Sequence, residues 1–271
     1  MSVHSEIKKI TTETLRKMKF DNDKISMITA YDFTTAKMVD AGGIDAVLVG
    51  DSAANVMAGF ETTLPITLDQ MIYHTQCVVR GIERALVVAD LPFGTYQSNP
   101  EKALESAVRM MKEGGAHAVK IEGGIEIEES IRKIVNAGIP VMGHLGLTPQ
   151  SIYQFGTYKV RAKEDAEAEK LISDAKLLEE LGCFAVVLEK IPADLAKKVT
   201  EAITIPTIGI GAGANCDGQV LVYHDMVGMN KGFSPKFLRR YLDLHTEITG
   251  AVAQFVKDVK SVDFPNASES Y

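Results

Sequence analysis

Ionisable side chains stand at the ends of five consecutive apolar runs of this chain. Asp51 follows AVLVG (46–50), Asp90 ends ALVVAD (85–90), Lys120 and Glu122 lie in and just after HAVKI (117–121), His144 ends IPVMGH (139–144) and Glu189 ends FAVVLE (184–189). Each has an ordinary explanation when taken alone. An aspartate after a strand forms a turn or caps a helix, a histidine there is commonly hydrogen-bonded into the structure, and Lys190 reads as a solvated flank. Gathered in one place, several carboxylates repel one another and lose hydration, and a divalent cation removes that cost. Asp51, Asp90 and Glu122 offer hard oxygen donors, which suit Mg²⁺ or Mn²⁺ with positions left open for water or substrate oxygens. Zinc would draw on histidine or cysteine, and only His144 is at hand. Lys120 and Glu122 are two residues apart and so share one face of their strand.

These groups meet only if the runs that carry them are parallel strands opening at one mouth. Eight such runs are legible: ISMITA (25–30), the five above, IPTIGI (205–210) and VLVYH (220–224). Near-continuous apolar character suits parallel strands buried on both faces. Helical stretches fill most of the intervals. TLDQMIYHTQCVVRG starts on a threonine cap, and NPEKALESAVRMMKEGG has asparagine as cap, proline in the first turn and glycines at its end. GAGANCDGQ, between the seventh and eighth strands, is too short for a full crossover helix, whereas PKFLRRYLDLHTEITGAVAQFVKDVK near the C-terminus reads as one long amphipathic stretch. Eight strands with mostly helical connections predict an α/β fold, a (β/α)8 TIM barrel, with a doubly wound open sheet as the alternative. TTETLRKMK predicts an extra N-terminal helix before the first strand, closing the bottom of the barrel. The whole chain, 1–271, reads as one catalytic barrel domain.

The bulk properties exclude several classes of function. With 29 Lys and Arg against 36 Asp and Glu the formal charge is −7, a poor balance for binding nucleic-acid phosphates. The opening MSVHSEIKKITTETLRKMK lacks the apolar segment of a signal peptide, and no apolar run approaches a membrane span. Cys77, Cys183 and Cys216 are odd in number and widely spaced, as expected of reduced thiols in a cytoplasmic protein. Gly209, Gly211 and Gly213 form only a GxGxG, which lacks dinucleotide spacing and reads as a tight turn.

The chain resembles the ketopantoate hydroxymethyltransferase family. The resemblance runs from about 24 to 237 and rests on ITAYD (28–32), VLVGDS (47–52), TTLPITLDQMIYHTQCVVRG (62–81), VADLPFG (88–94), AVKIEGG (118–124), VMGHLGLTPQS (141–151), VLEKIP (187–192), PTIGIGAG (206–213) and QVLVYHDMVG (219–228). One departure is Ala53-Ala54, where the family has Leu-Gly; it alters local backbone contacts and no ionisable group.

The resemblance implies that Asp51 and Asp90 are Mg²⁺ ligands and that Glu122 is a further metal-site carboxylate. It implies that Ser52 and Lys120, with Asp51 and Asp90, hold the 2-oxo acid, that Glu189 is the proton acceptor, and that His144 lies on the side where folate packs. It also implies 5,10-methylenetetrahydrofolate as the one-carbon donor, 2-dehydropantoate as the product on the way to pantothenate and coenzyme A, and a homo-oligomer, often a decamer, as the assembly. Burial and neighbouring anions are expected to raise the proton affinity of Glu189, as suits a base near neutral pH. Two competing readings are a metal–enolate barrel of the isocitrate lyase and phosphoenolpyruvate mutase type, and a non-catalytic metabolite-binding barrel. The first is opposed by the lack of a KKCGH-like loop, the second by the intact set Asp51, Asp90, Lys120, Glu122 and Glu189.

Overall fold

Eight short segments pair in parallel around a closed barrel in the computed structural model, which describes residues 8–271. The beginning of the opening segment that lacks a signal-peptide pattern lies outside those residues. The strands are β1 (Ile25–Thr29), β2 (Ala46–Val49), β3 (Leu86–Asp90), β4 (Ala118–Glu122), β5 (Val141–Gly146), β6 (Ala185–Glu189), β7 (Thr207–Ile210) and β8 (Gly218–Leu221). Each bonds to the next in sequence, and β8 returns to β1, so the closed barrel holds and the open sheet does not. β2, β3 and β4 are buried at every residue, which is why their sequences run apolar rather than alternating.

The interior is built by strand parity. Residues two apart share a face, and Ala46, Leu48, Leu86, Val88, Ala118, Met142, Ala185 and Val187 form one buried cluster inside the barrel. Two residues further along the same faces come Asp90 on β3, Lys120 and then Glu122 on β4, His144 on β5 and Glu189 on β6. The barrel interior is therefore apolar towards the N-terminal ends of the strands and ionic towards their C-terminal ends.

The helices follow their sequence signals. Thr67 caps Leu68–Gly81 with a capping box completed by Gln70, and Asn99 caps Pro100–Arg109, each satisfying peptide N–H groups that a helix start leaves unpaired. The extra N-terminal helix is present as Thr12–Phe20. Its Leu15 is fully buried in the same cluster as Ile25, Ala46, Leu86 and Ala118, with Ile10 and Met18 packed alongside. It thus closes the barrel at the end opposite the ionic mouth.

Two boundaries differ from expectation. β8 covers 218–221 rather than 220–224, and Tyr223–Met226 is a short helix. The register places Gly218 opposite Ile25, where a Cβ would come within 2.5 Å of the Ile25 carbonyl oxygen; close backbone approach, not hydrophobicity, starts this strand. The C-terminal helix spans only Leu244–Lys260, capped by Asp243. Before it, the Tyr241 and Leu244 amides donate to the carbonyls of Met226 and Val227, and Arg240 bonds to the carbonyls of Asn230, Lys231 and Phe233. Those partners take the place of intrahelical bonds, so 235–243 is not helical.

The chain divides into two compact units, 1–221 with the barrel and 222–271 with the C-terminal helix. Among the described residues no helix is long and apolar enough to cross a membrane.

Candidate active site

Parity and burial bring the ionisable strand ends into contact. Lys120 Nζ lies 2.6 Å from Asp90 Oδ1, with both side chains buried, and 3.4 Å from His144 Nδ1. His144 Nδ1 is 3.2 Å from Glu122 Oε1 and its Nε2 is 3.5 Å from Glu189 Oε2. The imidazole thus spans two carboxylates from different strands. Asp51 joins from the turn after β2, its peptide N–H donating to Asp90 Oδ2 at 3.0 Å. Ser52, next in sequence, shares a 2.8 Å hydrogen bond with the buried Tyr31 hydroxyl. Among the expected residues, Asp51, Asp90, Lys120, Glu122, His144 and Glu189 form one connected group, and Ser52 is tied to Tyr31 beside it. Glu189 is the most accessible of the four carboxylates, although only 16% of its side-chain surface is exposed.

The electrostatics show unbalanced negative charge. Burial, then the charges of Asp90 and Glu122, hold the Asp51 carboxyl well above the usual aspartate range, against the opposing pull of Lys120 and Gln150. Burial acts in the same direction on Glu122, but contact with His144 and the charge of Lys120 outweigh it and leave this carboxyl below its ordinary value. For Lys120 burial works against the charged form, yet Asp90, Glu122 and Asp51 together raise its proton affinity. Burial and Lys120 oppose protonation of His144, and Glu122 and Glu189 overcome them, raising the imidazole to about 9. Four carboxylates therefore face two cations, and Asp51 carries the imbalance.

The donor set fits a divalent metal in a specific sense. Among the described residues no three acidic, histidine or cysteine side chains form a ready-made metal cage. Mg²⁺ does not need one, since it is commonly held by one or two carboxylates and completes its shell with water and substrate oxygens. Asp90 Oδ1 and Glu122 Oε1 are buried without an aligned hydrogen bond, and the raised Asp51 carboxyl is the group a nearby cation would return to its anionic form.

Three supporting residues were not identifiable from the apolar runs. Tyr31 directly follows the first run, but its hydroxyl matters through Ser52; burial and the charges of Asp90 and Asp51 push the phenol up, so it stays a proton donor. Tyr96 and Gln150 lie in loops several residues beyond β3 and β5. Gln150 donates its side-chain N–H to Asp51 Oδ2 at 2.9 Å and its peptide N–H to Glu122 Oε2 at 2.9 Å, while the Tyr96 hydroxyl accepts the Glu122 peptide N–H at 2.9 Å. Only the TPQ and GTYQ turn residues mark them in the sequence, and turn composition says nothing about which way a side chain points.

Comparisons with known proteins agree on one family. The model of the family described as ketopantoate hydroxymethyltransferase matches residues 9–267. A 3-methyl-2-oxobutanoate hydroxymethyltransferase from Flavobacterium johnsoniae is 71% identical over 266 residues, 98% of each chain. One of the same name from Christiangramia forsetii is 68% identical over 98% of each chain. Among solved structures, phosphoenolpyruvate phosphomutase from Streptomyces platensis shares the fold, with a TM-score of 0.63 at 13% identity over 93% of this chain and 88% of that one.

Proposed function

The chain belongs to the ketopantoate hydroxymethyltransferase family, and on that premise we propose that it is a 3-methyl-2-oxobutanoate hydroxymethyltransferase. The reaction moves the one-carbon unit of 5,10-methylenetetrahydrofolate to 3-methyl-2-oxobutanoate, giving 2-dehydropantoate for pantothenate synthesis. The observation that carries this reading is the convergence of Asp51, Asp90, Lys120, Glu122, His144 and Glu189 at one barrel mouth. The lyase and mutase alternative shares the barrel alone, at 13% identity.

Asp51 and Asp90 would hold Mg²⁺, with Glu122 contributing directly or through water. Bound there, the ion would supply a Lewis acid for the charge developing on the keto oxygen. Lys120 and Ser52 are suited to the substrate carboxylate, Lys120 as a buried ammonium with three donors and Ser52 as a hydroxyl oriented by Tyr31. Glu189 takes the C3 proton, and the electron pair of the broken C–H bond forms the C2–C3 double bond of the enolate. C3 then bonds to the methylene carbon of the folate while that carbon's bonds to the two folate nitrogens break. Water supplies the hydroxyl group, and the proton taken from C3 and the remaining proton of that water go to the two nitrogens, releasing tetrahydrofolate. His144, 3.5 Å from Glu189 Oε2, faces that carboxylate, and the folate packs on the His144 side of the mouth. We further place the protein in the cytoplasm, in keeping with its three free cysteines. We propose a homo-oligomer, with a decamer as the family's usual assembly. The support is that no residue of Leu244–Lys260 is buried, although Val252, Phe255 and Val259 are apolar. A monomer in sedimentation at micromolar concentration would refute it.

The test is exchange of the substrate's C3 proton with D₂O, followed by NMR, which needs no carbon–carbon bond to form. The wild type with Mg²⁺ should exchange the proton, and chelation should abolish exchange. Glu189→Gln should slow it by about 10²–10⁴-fold while still binding the 2-oxo acid. Asp51→Asn and Asp90→Asn should remain folded and lose Mg²⁺ affinity by calorimetry. Full exchange in Glu189→Gln would remove Glu189 as the base, and unchanged Mg²⁺ affinity in both aspartate variants would remove the metal assignment.

A further inference from the structure

Gln150 joins carboxylates that come from two different strands. It lies in the turn Pro149–Ser151 after β5, and only 5% of its surface is exposed. A side-chain amide has two N–H donors and two acceptor positions on its oxygen, and here all four are used. Nε2 donates to Asp51 Oδ2 at 2.9 Å and to the Leu91 carbonyl at 3.0 Å. Oε1 accepts from the Tyr96 hydroxyl at 2.8 Å and from Gln97 Nε2 at 2.8 Å. Turning the amide over would set oxygen against two oxygens and NH₂ against the Gln97 amide, so the partners dictate its orientation. The peptide N–H of the same residue holds Glu122 Oε2, and the Tyr96 hydroxyl that bonds to Gln150 also accepts the Glu122 peptide N–H. A closed circuit of buried hydrogen bonds therefore runs through Gln150, Tyr96 and Glu122, and Asp51 is tied to it at Gln150 Nε2.

We propose that Gln150 is a positioning residue for this site. It occupies one oxygen of Asp51 and one of Glu122, and so sets the distance and orientation at which their remaining oxygens meet a metal ion and a 2-oxo acid. Every partner in the circuit belongs to the protein, so the ordering of these carboxylates does not have to come from a bound ligand. This inference rests on the reading of Asp51 and Glu122 as metal- and substrate-side groups. A side chain that merely filled space would be replaceable by an apolar one of similar length.

The test compares Gln150→Met, which keeps the length and removes every polar atom, with Tyr96→Phe, which keeps the ring and removes one partner of Gln150. Mg²⁺ is titrated calorimetrically into metal-free protein, and KM is measured separately for 3-methyl-2-oxobutanoate and for 5,10-methylenetetrahydrofolate. Gln150→Met should lose about 10–100-fold in Mg²⁺ affinity, the usual range for an outer partner of a metal ligand. KM for the 2-oxo acid should rise in parallel, with little change for the folate. Tyr96→Phe should show the same pattern in weaker form, and it serves as the deciding variant if Gln150→Met does not fold. Mg²⁺ affinity and 2-oxo acid KM within about twofold of wild type in the folded variants would overturn the role of Gln150. A loss shared equally by both substrates would also overturn it, because a general loosening of the structure has no reason to select one of them. Failure of the wild type to bind Mg²⁺ would be a different result: it would bring down the underlying reading and this inference with it.

Discussion

Lys120 and His144 are the two cations of the mouth, and each is held there by more than one anion. Lys120 contacts Asp90 at 2.6 Å, with the charges of Glu122 and Asp51 also favouring its ammonium, and His144 lies between Glu122 and Glu189. Removing either would strand buried carboxylates, a loss of about 3–5 kcal/mol for a broken buried pair. A separate polar contact, made by the partly exposed His117 just before β4, lies away from this cluster. Its Nδ1 accepts the Val87 peptide N–H at 3.1 Å, which only an unprotonated Nδ1 can do. Burial, and then the charge of Lys9, lower its pKa. Below about pH 6.5 the unfolded chain takes up a proton that the folded chain refuses. The contribution of His117 is thus complete above that pH and declines as the pH falls towards the lowered folded value. His117→Asn keeps an acceptor and removes the titration. Urea denaturation from about pH 7 down to pH 5 should show a shallower loss of stability in this variant than in wild type.

At the scale of elements, the decisive feature is where one strand ends against the next. β5 and β6 pair Gly146 with Glu189, and Gly146 has a φ of +93°. A Cβ there would lie 2.3 Å from the Glu189 carbonyl oxygen and 2.7 Å from Ile191 Cγ2. Gly146→Ala should therefore cost about 1–3 kcal/mol for the backbone conformation alone, with the steric clash adding to it. The displacement falls on Glu189, so kcat should fall further than the folded fraction does. Denaturation and kinetics on the same preparation measure both. Glu189 is braced from its other side as well: Lys190, at φ +45°, donates Nζ to the Tyr158 carbonyl and accepts the Arg161 peptide N–H on its own carbonyl. The reading of Lys190 as a solvated flank missed this, because a lysine after a strand has no sequence signal for its backbone conformation. The C-terminal helix is the reverse case. Its apolar periodicity extends back to Pro235, but the amides of Tyr241 and Leu244 have partners outside the helix, and local pattern cannot report a competing partner.

For the barrel as a whole, closure depends on filling its N-terminal end, and Leu15 does so from outside the β/α repeat. It is fully buried, so Leu15→Ala should cost about 2–5 kcal/mol, measured as a lower denaturation midpoint at unchanged m-value. The mouth lies at the other end, and proton exchange per folded molecule should be preserved. The sequence by itself determined the eight parallel strands, the helix caps at Thr67 and Asn99 and the plugging helix, because these depend on local periodicity and on hydrogen bonds within a few residues. It also determined that acidic and basic groups stand at successive strand ends, since parity carries each apolar face forward to its last residue. Only the tertiary structure decided that His144 bridges Glu122 and Glu189, that Lys120 pairs with Asp90, and that Gln150 and Tyr96 tie Asp51 to Glu122. Those contacts join residues 22 to 99 positions apart in sequence. Their geometry follows from barrel closure and register, which no window of neighbouring residues contains.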